Sequence, residues 1–268
     1  MTGLTFTLPD GTRRTVTVQR LLNAGYAGRS QDDVAAHVAE LAELGVPAPS
    51  TTPALYPVSP YLAQQTGRVL AQHGKTSGEA EWALVVDDTG DLLLTAACDH
   101  TDRELETYGV AWSKNAAPDV LATSAWRLDD VADRIDGLTL RAWVSGAAGA
   151  DGPADTGDEP GTEPTGTDSG TEPTGTDSDP RTGAGGGPTE QLIQDGTGAD
   201  LLPPQHWAEV LRERGELEPG TVLISGTIPM LHGEDQFAGR WRVQLGDPAT
   251  GREISLAYDV VPMPEPIG

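Results

Sequence analysis

Residues 77–102 read SGEAEWALVVDDTGDLLLTAACDHTD, and this stretch decides the fold. Two apolar runs, 79–86 and 91–98, flank Asp-Asp-Thr-Gly, a combination of residues that favours a tight turn between strands. The pattern therefore predicts a β-hairpin. Because side chains two residues apart project from the same face of a strand, Glu79 and Glu81 are expected on one side of it.

A third carboxylate, Asp99, comes directly after the return strand. If the turn spans residues 87–90, Glu79 lies opposite Cys98, and Asp99 lies just beyond that pair. Three carboxylates at one strand end repel one another unless a cation or protons intervene. Carboxylate oxygens are ligands that suit Mg²⁺, Mn²⁺ or Ca²⁺ better than Zn²⁺. The spacing indicates either a divalent-metal site or a solvated acidic edge, and it does not choose between them.

Lysine is rare in this chain. Only two of the 17 basic residues are lysines, Lys75 and Lys114. Lys114 stands in the segment TYGVAWSKNAAP, soon after Asp99. A lysine kept where arginine is otherwise used indicates a need for a compact ammonium charge, with chance as the alternative explanation.

The first helix carries a second pair of candidate residues. Apolar residues at helical spacing over 34–44 predict a helix that begins at Ser30 or Asp32. His37 and Glu40 are three residues apart on it, so their side chains can touch. They form either a general-base pair or an ordinary surface contact.

The rest of the ordered sequence adds strands and one more helix. The patterns predict an opening β-hairpin at 4–25, a strand at 138–144 and a helix at 203–214. Three further strands are predicted at 221–229, 239–251 and 252–261. The proline-rich segment 47–60 is expected to contain no regular structure. Many strands and few helices predict one β-rich α+β domain.

Residues 150–189 form a low-complexity tract in which the nonapeptide GTEPTGTDS occurs twice in succession. The tract has almost no apolar side chains, so it cannot offset its own ordering entropy and is expected to be a disordered acidic insert. It separates residues 1–149 from residues 190–268. We expect these two segments to be the two parts of a single catalytic domain.

The composition excludes several classes of partner and site. With 41 acidic and 17 basic residues, the formal net charge is −24, which argues against nucleic acid as a partner. A single cysteine excludes a disulfide framework and favours a cytoplasmic location. No apolar run approaches the roughly 18 residues that span a bilayer, so no membrane association is expected.

Four segments taken in chain order resemble the signature of the fumarylacetoacetate hydrolase superfamily. They read SGEAEWALVV, AACDHTDRELETYG, WSKNAAP and GTVLISGTIP. The signature consists of a Glu-x-Glu strand, a later Asp, a Lys and a Gly-Thr turn near the C-terminus. The resemblance spans most of residues 20–145 and 190–262, and it is nearest to a bacterial branch made of domains of unknown function.

The resemblance also implies roles for individual residues. It implies three metal ligands, a lysine near the substrate oxygens, a hydroxyl and an arginine that contact substrate, and a catalytic His-x-x-Glu pair on a lid helix. The implied metal ligands are Glu79, Glu81 and Asp99, and the implied lysine is Lys114. The implied substrate contacts are the hydroxyl of Thr227 and the guanidinium of Arg29, and the implied catalytic pair is His37 and Glu40.

As a whole, the resemblance implies a mixed β-sandwich roll, usually a homodimer, that holds one Mg²⁺ or Mn²⁺, with Ca²⁺ as an alternative. In such enzymes the metal binds a 2-oxo carboxylate or a β-dicarbonyl acid and stabilises an enolate. We expect a hydrolase of C–C bonds, while a decarboxylase or a hydratase/lyase of the same oxoacids shares the enolate. A member that binds an oxoacid or a metal without turnover, and a purely structural β-protein, are the alternatives from other classes.

Overall fold

The computed structural model describes residues 2–43, 49, 51–147, 190–231, 237–264 and 267. Within these residues, 15 strands and four α-helices are joined by loops and short 3₁₀ segments. The strands are β1 (Thr2–Thr7), β2 (Arg13–Val18), β3 (Arg20–Gly25), β4 (Ala54–Val58), β5 (Ala63–Gln64), β6 (Arg68–Ala71), β7 (Thr76–Val86), β8 (Leu92–Asp102), β9 (Asp119–Leu121), β10 (Trp126–Arg127), β11 (Thr139–Ala147), β12 (Gln191–Thr197), β13 (Thr221–Ile224), β14 (Ala238–Asp247) and β15 (Arg252–Pro262). The helices are α1 (Gln31–Glu43), α2 (Arg103–Glu106), α3 (Val110–Ser113) and α4 (Pro204–Glu213).

The central hairpin of β7 and β8 closes through a loop of five residues rather than four. The last paired residues are Val86 and Leu92. Between them, the Asp87 carboxylate accepts hydrogen bonds from the backbone N–H groups of Thr89 (2.8 Å) and Asp91 (3.0 Å). An aspartate that binds its own following backbone in this way favours a turn, and here it stabilises the longer loop.

The longer loop shifts the register of the hairpin by one residue. Glu79 lies opposite Asp99, and Ala80 lies opposite Cys98. The predicted pairing of Glu79 with Cys98 is therefore wrong. Because residues directly opposite each other share a face of the sheet, the shift places the Asp99 carboxylate beside that of Glu79.

The strands form a two-stranded hairpin, β1–β2, and two larger sheets. The eight-stranded sheet has the order β4-β3-β13-β7-β8-β9-β5, with the short strand β10 also paired to β8. The five-stranded sheet has the order β12-β11-β14-β15-β6. Strand β13 runs parallel to β3 and antiparallel to β7, so it separates two strands that come much earlier in the chain.

Both larger sheets combine strands from the two sides of residues 148–189. Strand β11 pairs with β12 and β14 in one sheet, while β13 pairs with β3 and β7 in the other. The disordered insert predicted at 150–189 lies outside the described residues. The domain boundaries at 149 and 190 stay predictions.

The core consists of two apolar clusters on opposite faces of the β7–β8 hairpin. The larger cluster includes Trp82 from this hairpin and Trp241 and Tyr258 from the five-stranded sheet. Trp241 and Tyr258 are directly opposite each other in β14 and β15. The smaller cluster includes Ala83 and Val85 together with residues of β1 and β2. Glu79 and Glu81 lie on the same face of β7 as Ala83 and Val85, beside the smaller cluster. The predicted strand-rich α+β architecture is confirmed.

One predicted loop contains a strand. Segment 47–60 was expected to be irregular, but Ala54–Val58 form β4 at the edge of the eight-stranded sheet. An edge strand tolerates Pro57 because one side of the strand has no ladder to complete. The predicted first helix forms as α1, where Ser30 Oγ accepts the backbone N–H of Asp33 (3.3 Å). Among the helices of the described ranges, none combines the length and apolar character needed to cross a membrane.

Candidate metal centre

The hairpin of β7 and β8 brings three buried carboxylates together. Glu79, Glu81 and Asp99 each offer an oxygen, and these oxygens lie within 4.8 Å of one another. The exposed fractions of the three residues are 7%, 1% and 0%. We call Glu79, Glu81 and Asp99 the carboxylate triad. The alternative of a solvated acidic edge is wrong, because all three residues are buried.

A glycine allows β7 to run this close to the other sheet. Gly78 precedes Glu79, and a Cβ added to it would lie 2.7 Å from Cys98 Sγ and 2.7 Å from the Trp241 ring. A side chain at this position would therefore displace the strand that carries the triad.

Lys114 reaches the carboxylate triad from the end of α3. Its Nζ donates to Glu79 Oε2 at 3.0 Å and also to Asp99 Oδ2. Burial lowers the pKa of Lys114, but Asp99, Glu79 and Glu81 outweigh it, and the net shift is upward. The buried lysine therefore remains an ammonium ion beside the triad, and its catalytic role stays a prediction.

Arg103 is a site residue that the sequence analysis missed. Its guanidinium donates to Glu79 Oε1 (2.8 Å), Ser77 Oγ (2.7 Å) and Glu106 Oε2 (3.0 Å). Burial raises the pKa of Glu79, but the charges of Lys114 and Arg103 outweigh burial and bring that pKa to about 2. Glu79 is therefore held as a carboxylate by two cations.

Asn23 and Asp119 are two further residues that the sequence analysis missed. Asn23 Nδ2 donates to Asp99 Oδ2 (3.1 Å) and to Asp119 Oδ1 (3.2 Å), and both residues are buried. Burial and the neighbouring Asp99 raise the pKa of Asp119 well above its usual value. A single polar residue inside the apolar run RLLNAG was the available signal for Asn23.

Glu81 is oriented by a backbone group. Gly226, which has a φ of +83°, donates its N–H to Glu81 Oε2 at 2.8 Å. A Cβ on Gly226 would lie 2.9 Å from the Ala24 carbonyl oxygen, so this close turn requires glycine. Burial raises the pKa of Glu81 well above its usual value, and Lys114 opposes that shift.

Several buried oxygens of this site have no hydrogen-bond partner in the described part of the chain. They are Asn23 Oδ1, Glu81 Oε1, Asp99 Oδ1 and Asp119 Oδ2. Leaving buried polar atoms unsatisfied costs free energy, so such a group of acceptors indicates either a bound cation or retained protons, one of which Asp119 can share with Asp99. With every group charged, the triad and Asp119 carry four negative charges, while the two cations are Lys114 and Arg103, and Arg103 is shared with Glu106. A divalent cation, or protons, would balance the excess of negative charge. The donor set therefore fits a hard divalent cation.

The two predicted substrate-binding residues lie in different surroundings. Thr227 Oγ1 donates to the carbonyl oxygen of Ala80, between the two glutamates of β7, at 3.0 Å. Arg29 donates to the carbonyl oxygens of Leu201 and Gly198, both at 3.0 Å, and forms an ion pair with Asp136 at 2.7 Å. The structure thus places Thr227 beside the triad. The substrate-binding roles of Thr227 and Arg29 stay predictions.

The predicted His37–Glu40 pair lies on α1, but these two side chains fall outside the described part of the structure. Their catalytic roles stay predictions. His100 and Asp102, the other ionisable residues near Asp99 on β8, are both buried. The Asp102 carboxylate accepts the backbone N–H groups of Glu104 (3.1 Å) and Leu105 (3.0 Å) at the start of α2.

Comparison with protein families supplies a classification. Residues 24–153 and 181–258 match the model of the family described as "Protein of unknown function (DUF2848)". The chain belongs to the DUF2848 family. No curated protein matches this DUF2848 chain.

Two solved structures are similar to this DUF2848 protein in fold. One is described as "2-keto-3-deoxy-D-arabinonate dehydratase apo form", with a TM-score of 0.53. The other is a hexagonal crystal form of 2-keto-3-deoxyarabinonate dehydratase, with a TM-score of 0.55. Each is 13% identical and covers 94% of this chain, while the match covers 77% and 78% of the two solved chains. The family match and this likeness support the fumarylacetoacetate hydrolase-like fold expected from the sequence.

Proposed function

We propose that this protein is a divalent-metal-dependent enzyme that acts on a 2-oxo acid. The observation that carries the proposal is the carboxylate triad, in which Glu81 Oε1 and Asp99 Oδ1 are buried and lack hydrogen-bond partners among the described residues. The proposal also includes membership of the fumarylacetoacetate hydrolase superfamily. The likeness to two dehydratases of a 2-keto acid supports both the enzymatic role and the substrate class.

Some residues of the site would hold the cation, and others supply positive charge beside it. Glu79, Glu81 and Asp99 would hold Mg²⁺ or Mn²⁺, which acts as a Lewis acid towards the substrate oxygens when it is bound. Lys114 keeps a buried positive charge beside the triad, where its Nζ can donate a hydrogen bond to an oxyanion of the substrate. Arg103 holds Glu79 as a carboxylate, so this residue is ready to bind a cation without first losing a proton.

The residues proposed for proton transfer are assigned from the sequence alone. We propose that His37, oriented by Glu40, activates water or transfers the proton at the reacting carbon. The reaction proposed first is hydrolysis of a C–C bond. Elimination of water from a 3-deoxy-2-oxo acid is the second candidate, because both similar structures are described as dehydratases of such an acid. A homodimer, a small-molecule oxoacid as partner and a cytoplasmic location remain proposals.

The first experiment measures metal binding. Isothermal titration of the metal-free protein with Mn²⁺ is expected to give one site per chain in the wild type. Glu81→Gln keeps the acceptor for the Gly226 N–H but removes a negative oxygen, so we expect it to weaken binding at least roughly 10-fold. Glu209→Gln, on the exposed side of α4, is the matched control and should bind as the wild type does. Wild-type protein that binds no Mn²⁺, or Glu81→Gln that binds it equally well, would contradict the proposal.

The second experiment identifies the substrate class and the reaction. A thermal-shift screen of 2-oxo acids and β-diketo acids, with and without Mn²⁺, should show stabilisation that requires both metal and acid. Mass spectrometry of the products then separates the reactions: hydrolysis adds water and yields two fragments, whereas dehydration removes one water from an intact chain. Loss of carbon dioxide would indicate a decarboxylase.

A further inference from the structure

Gln194 is a buried polar residue of the five-stranded sheet. It is fully buried although it belongs to β12, an edge strand. The register between β11 and β12 shifts at this point: Ala142 pairs with Gln194, whereas Trp143 pairs with Leu192, so Ile193 is the extra residue of a β-bulge. Bulges re-aim neighbouring side chains. Ile193 and Gln194 are consecutive, yet both are buried.

The side-chain amide of Gln194 uses its oxygen and its nitrogen in hydrogen bonds. Oε1 accepts the backbone N–H of Ala80 (2.9 Å), and Nε2 donates to Thr227 Oγ1 (2.9 Å) and to the carbonyl oxygen of Ile228 (2.6 Å). Thr227 Oγ1 in turn donates to the carbonyl oxygen of Ala80. Gln194 and Thr227 together satisfy both main-chain polar groups of Ala80.

These contacts replace a missing stretch of strand. Strand β13 pairs with β7 only as far as Ile224 and Ala83, so Ala80 lies beyond the end of β13. A buried N–H or C=O group without a partner is costly, and a β-ladder would normally supply one. The Gln194 amide oxygen accepts the Ala80 N–H as a strand carbonyl would, and its nitrogen holds Thr227, whose hydroxyl donates to the Ala80 carbonyl. The two side chains together therefore complete the ladder where β13 stops.

We propose that Gln194 is a positioning residue for the metal-binding glutamates, an inference that rests on the proposed function. Ala80 lies between Glu79 and Glu81, so fixing its main chain fixes the origin of both carboxylates. The same amide holds the segment that follows Gly226, whose N–H donates to Glu81 Oε2. The Gln194 side chain thus fixes the position of β7, which carries both glutamates, relative to the turn at Gly226, which orients Glu81.

The test is a Mn²⁺ titration of Gln194→Met in the full chain, beside the wild type. Methionine keeps the approximate length of the side chain and removes its three hydrogen bonds. We expect Mn²⁺ to bind roughly 10- to 100-fold more weakly, as is typical when the support of a metal ligand is lost. The electron paramagnetic resonance spectrum of the bound Mn²⁺ should also change. Gln244→Met is the matched control, because Gln244 makes its hydrogen bond to Glu253 at the surface (2.9 Å), and its Mn²⁺ affinity should be unchanged.

A second measurement needs no metal. Hydrogen exchange of the Ala80 amide, followed by NMR in the metal-free protein, should be faster in Gln194→Met. Thr95→Val provides the comparison, since it deletes the hydrogen bond of another buried residue, from Thr95 Oγ1 to the carbonyl oxygen of Ser124 (2.6 Å), and Thr95 makes no hydrogen bond to the triad. We expect Thr95→Val to lower the melting temperature while Mn²⁺ affinity and Ala80 exchange stay as in the wild type.

If Gln194→Met does not fold, Gln194→Glu replaces it. Glutamate keeps an acceptor for the Ala80 N–H, so its loss of Mn²⁺ affinity should be smaller than that expected for methionine. Unchanged Mn²⁺ affinity in a folded Gln194 variant overturns the inference and leaves the proposed function standing. Wild-type protein that binds no Mn²⁺ overturns the proposed function and this inference with it. Weaker binding in the Gln194 variants, with both controls unchanged, supports the inference.

Discussion

Asp99 and His100 are consecutive residues of β8, and both are fully buried, but they face opposite sides of the strand. On the side of His100, Nδ1 contacts the Tyr258 hydroxyl (2.9 Å) and Nε2 contacts Thr76 Oγ1 (3.0 Å). The Tyr258 hydroxyl also contacts Cys98 Sγ (3.1 Å). Every polar side-chain atom of these four residues has a partner. We call Thr76, Cys98, His100 and Tyr258 the histidine cluster.

On the side of Asp99, the pairing is incomplete. Asp99 Oδ1, Glu81 Oε1 and Asp119 Oδ2 are buried without hydrogen-bond partners among the described residues. Burial is the same on the two sides, so burial does not separate a structural cluster from a binding site. Incomplete hydrogen bonding and uncompensated charge do separate them. The following experiments change one side at a time.

The largest effect is expected from Lys114→Met in the metal-free protein. The change leaves Glu79 and Asp99 without the ammonium ion that each of them binds. Removing one partner of a buried ion pair typically costs about 3–5 kcal/mol, so the free energy of unfolding should fall by about that amount. Saturating Mn²⁺ should reduce the loss, because a divalent cation supplies positive charge to the same carboxylates. Urea denaturation with and without Mn²⁺ measures both values.

Lys75→Met is the matched control for this experiment. Lys75 is the other lysine, its side chain is 65% exposed, and its nearest carboxylate oxygen, on Glu104, is 3.7 Å away. Exposed pairs of this kind contribute little, so stability should stay within about 1 kcal/mol of the wild type. An equal loss for Lys114→Met with and without Mn²⁺ would show that no cation reaches the triad.

The pH dependence of stability is expected to differ between metal-free and metal-loaded protein. Burial raises the pKa values of Glu81 and Asp119, so the native metal-free protein keeps protons that the unfolded chain has lost. Stability therefore falls as pH rises towards the raised pKa values, by up to about 1.4 kcal/mol per pH unit for each such proton. Burial lowers the pKa of His100 to about 3, so only the unfolded chain still loses an imidazolium proton above pH 6.5. This adds an opposing rise in stability that is the same with and without Mn²⁺.

The measurement is a series of denaturation curves between pH 6.5 and 8. Mn²⁺ requires ionised carboxylates, so saturating metal should flatten or reverse the decline. Asp119→Asn should also reduce the decline, since it removes one of the two titrating groups. The same slope in metal-free and metal-loaded protein would argue against protons and metal competing for one site.

Tyr258→Phe changes the other side of β8. The phenylalanine leaves His100 Nδ1 without a partner, and an unsatisfied buried group costs about 1–3 kcal/mol. We expect a lower melting temperature and an unchanged affinity for Mn²⁺. A change in Mn²⁺ affinity would mean that the two sides of the strand are coupled rather than independent.

The smallest effect is expected from Cys98→Ala. Burial raises the pKa of the Cys98 thiol, so this residue is a neutral, buried thiol. Alanine removes a weak hydrogen bond to Tyr258 and a small volume, so stability should change by about 1 kcal/mol and Mn²⁺ affinity should not change. Native wild-type protein should likewise resist iodoacetamide, and rapid modification of Cys98 would contradict its burial.

The sequence predicted the parts of the site that depend on local pattern. Glu79 and Glu81 follow from strand alternation, and the shared hairpin brings Asp99 to them, with an error of one residue that came from the length of the loop. Asn23 and Asp119 could not be predicted, because their contacts depend on the order of strands within the eight-stranded sheet. No local pattern states which distant strands become neighbours.

The same reason explains other differences between prediction and structure. Strand β4 was missed because its proline counts against a strand unless the strand is known to lie at an edge. Arg103 was missed because its position after β8 gives no sign that its guanidinium turns back towards Glu79. Gln194 depends on a bulge, which is a feature of pairing rather than of composition.

The position of β13 has a consequence for biosynthesis. Thr221 pairs with Arg20, so the strand that separates β3 from β7 is made about 200 residues after the first of its neighbours. Pairing between segments so distant in sequence is slow compared with local folding. Until Thr221–Ile224 have emerged from the ribosome, the nascent chain contains each acid of the triad but cannot bring Gly226 to Glu81. The proposed metal site can therefore be completed only after most of the chain has been made.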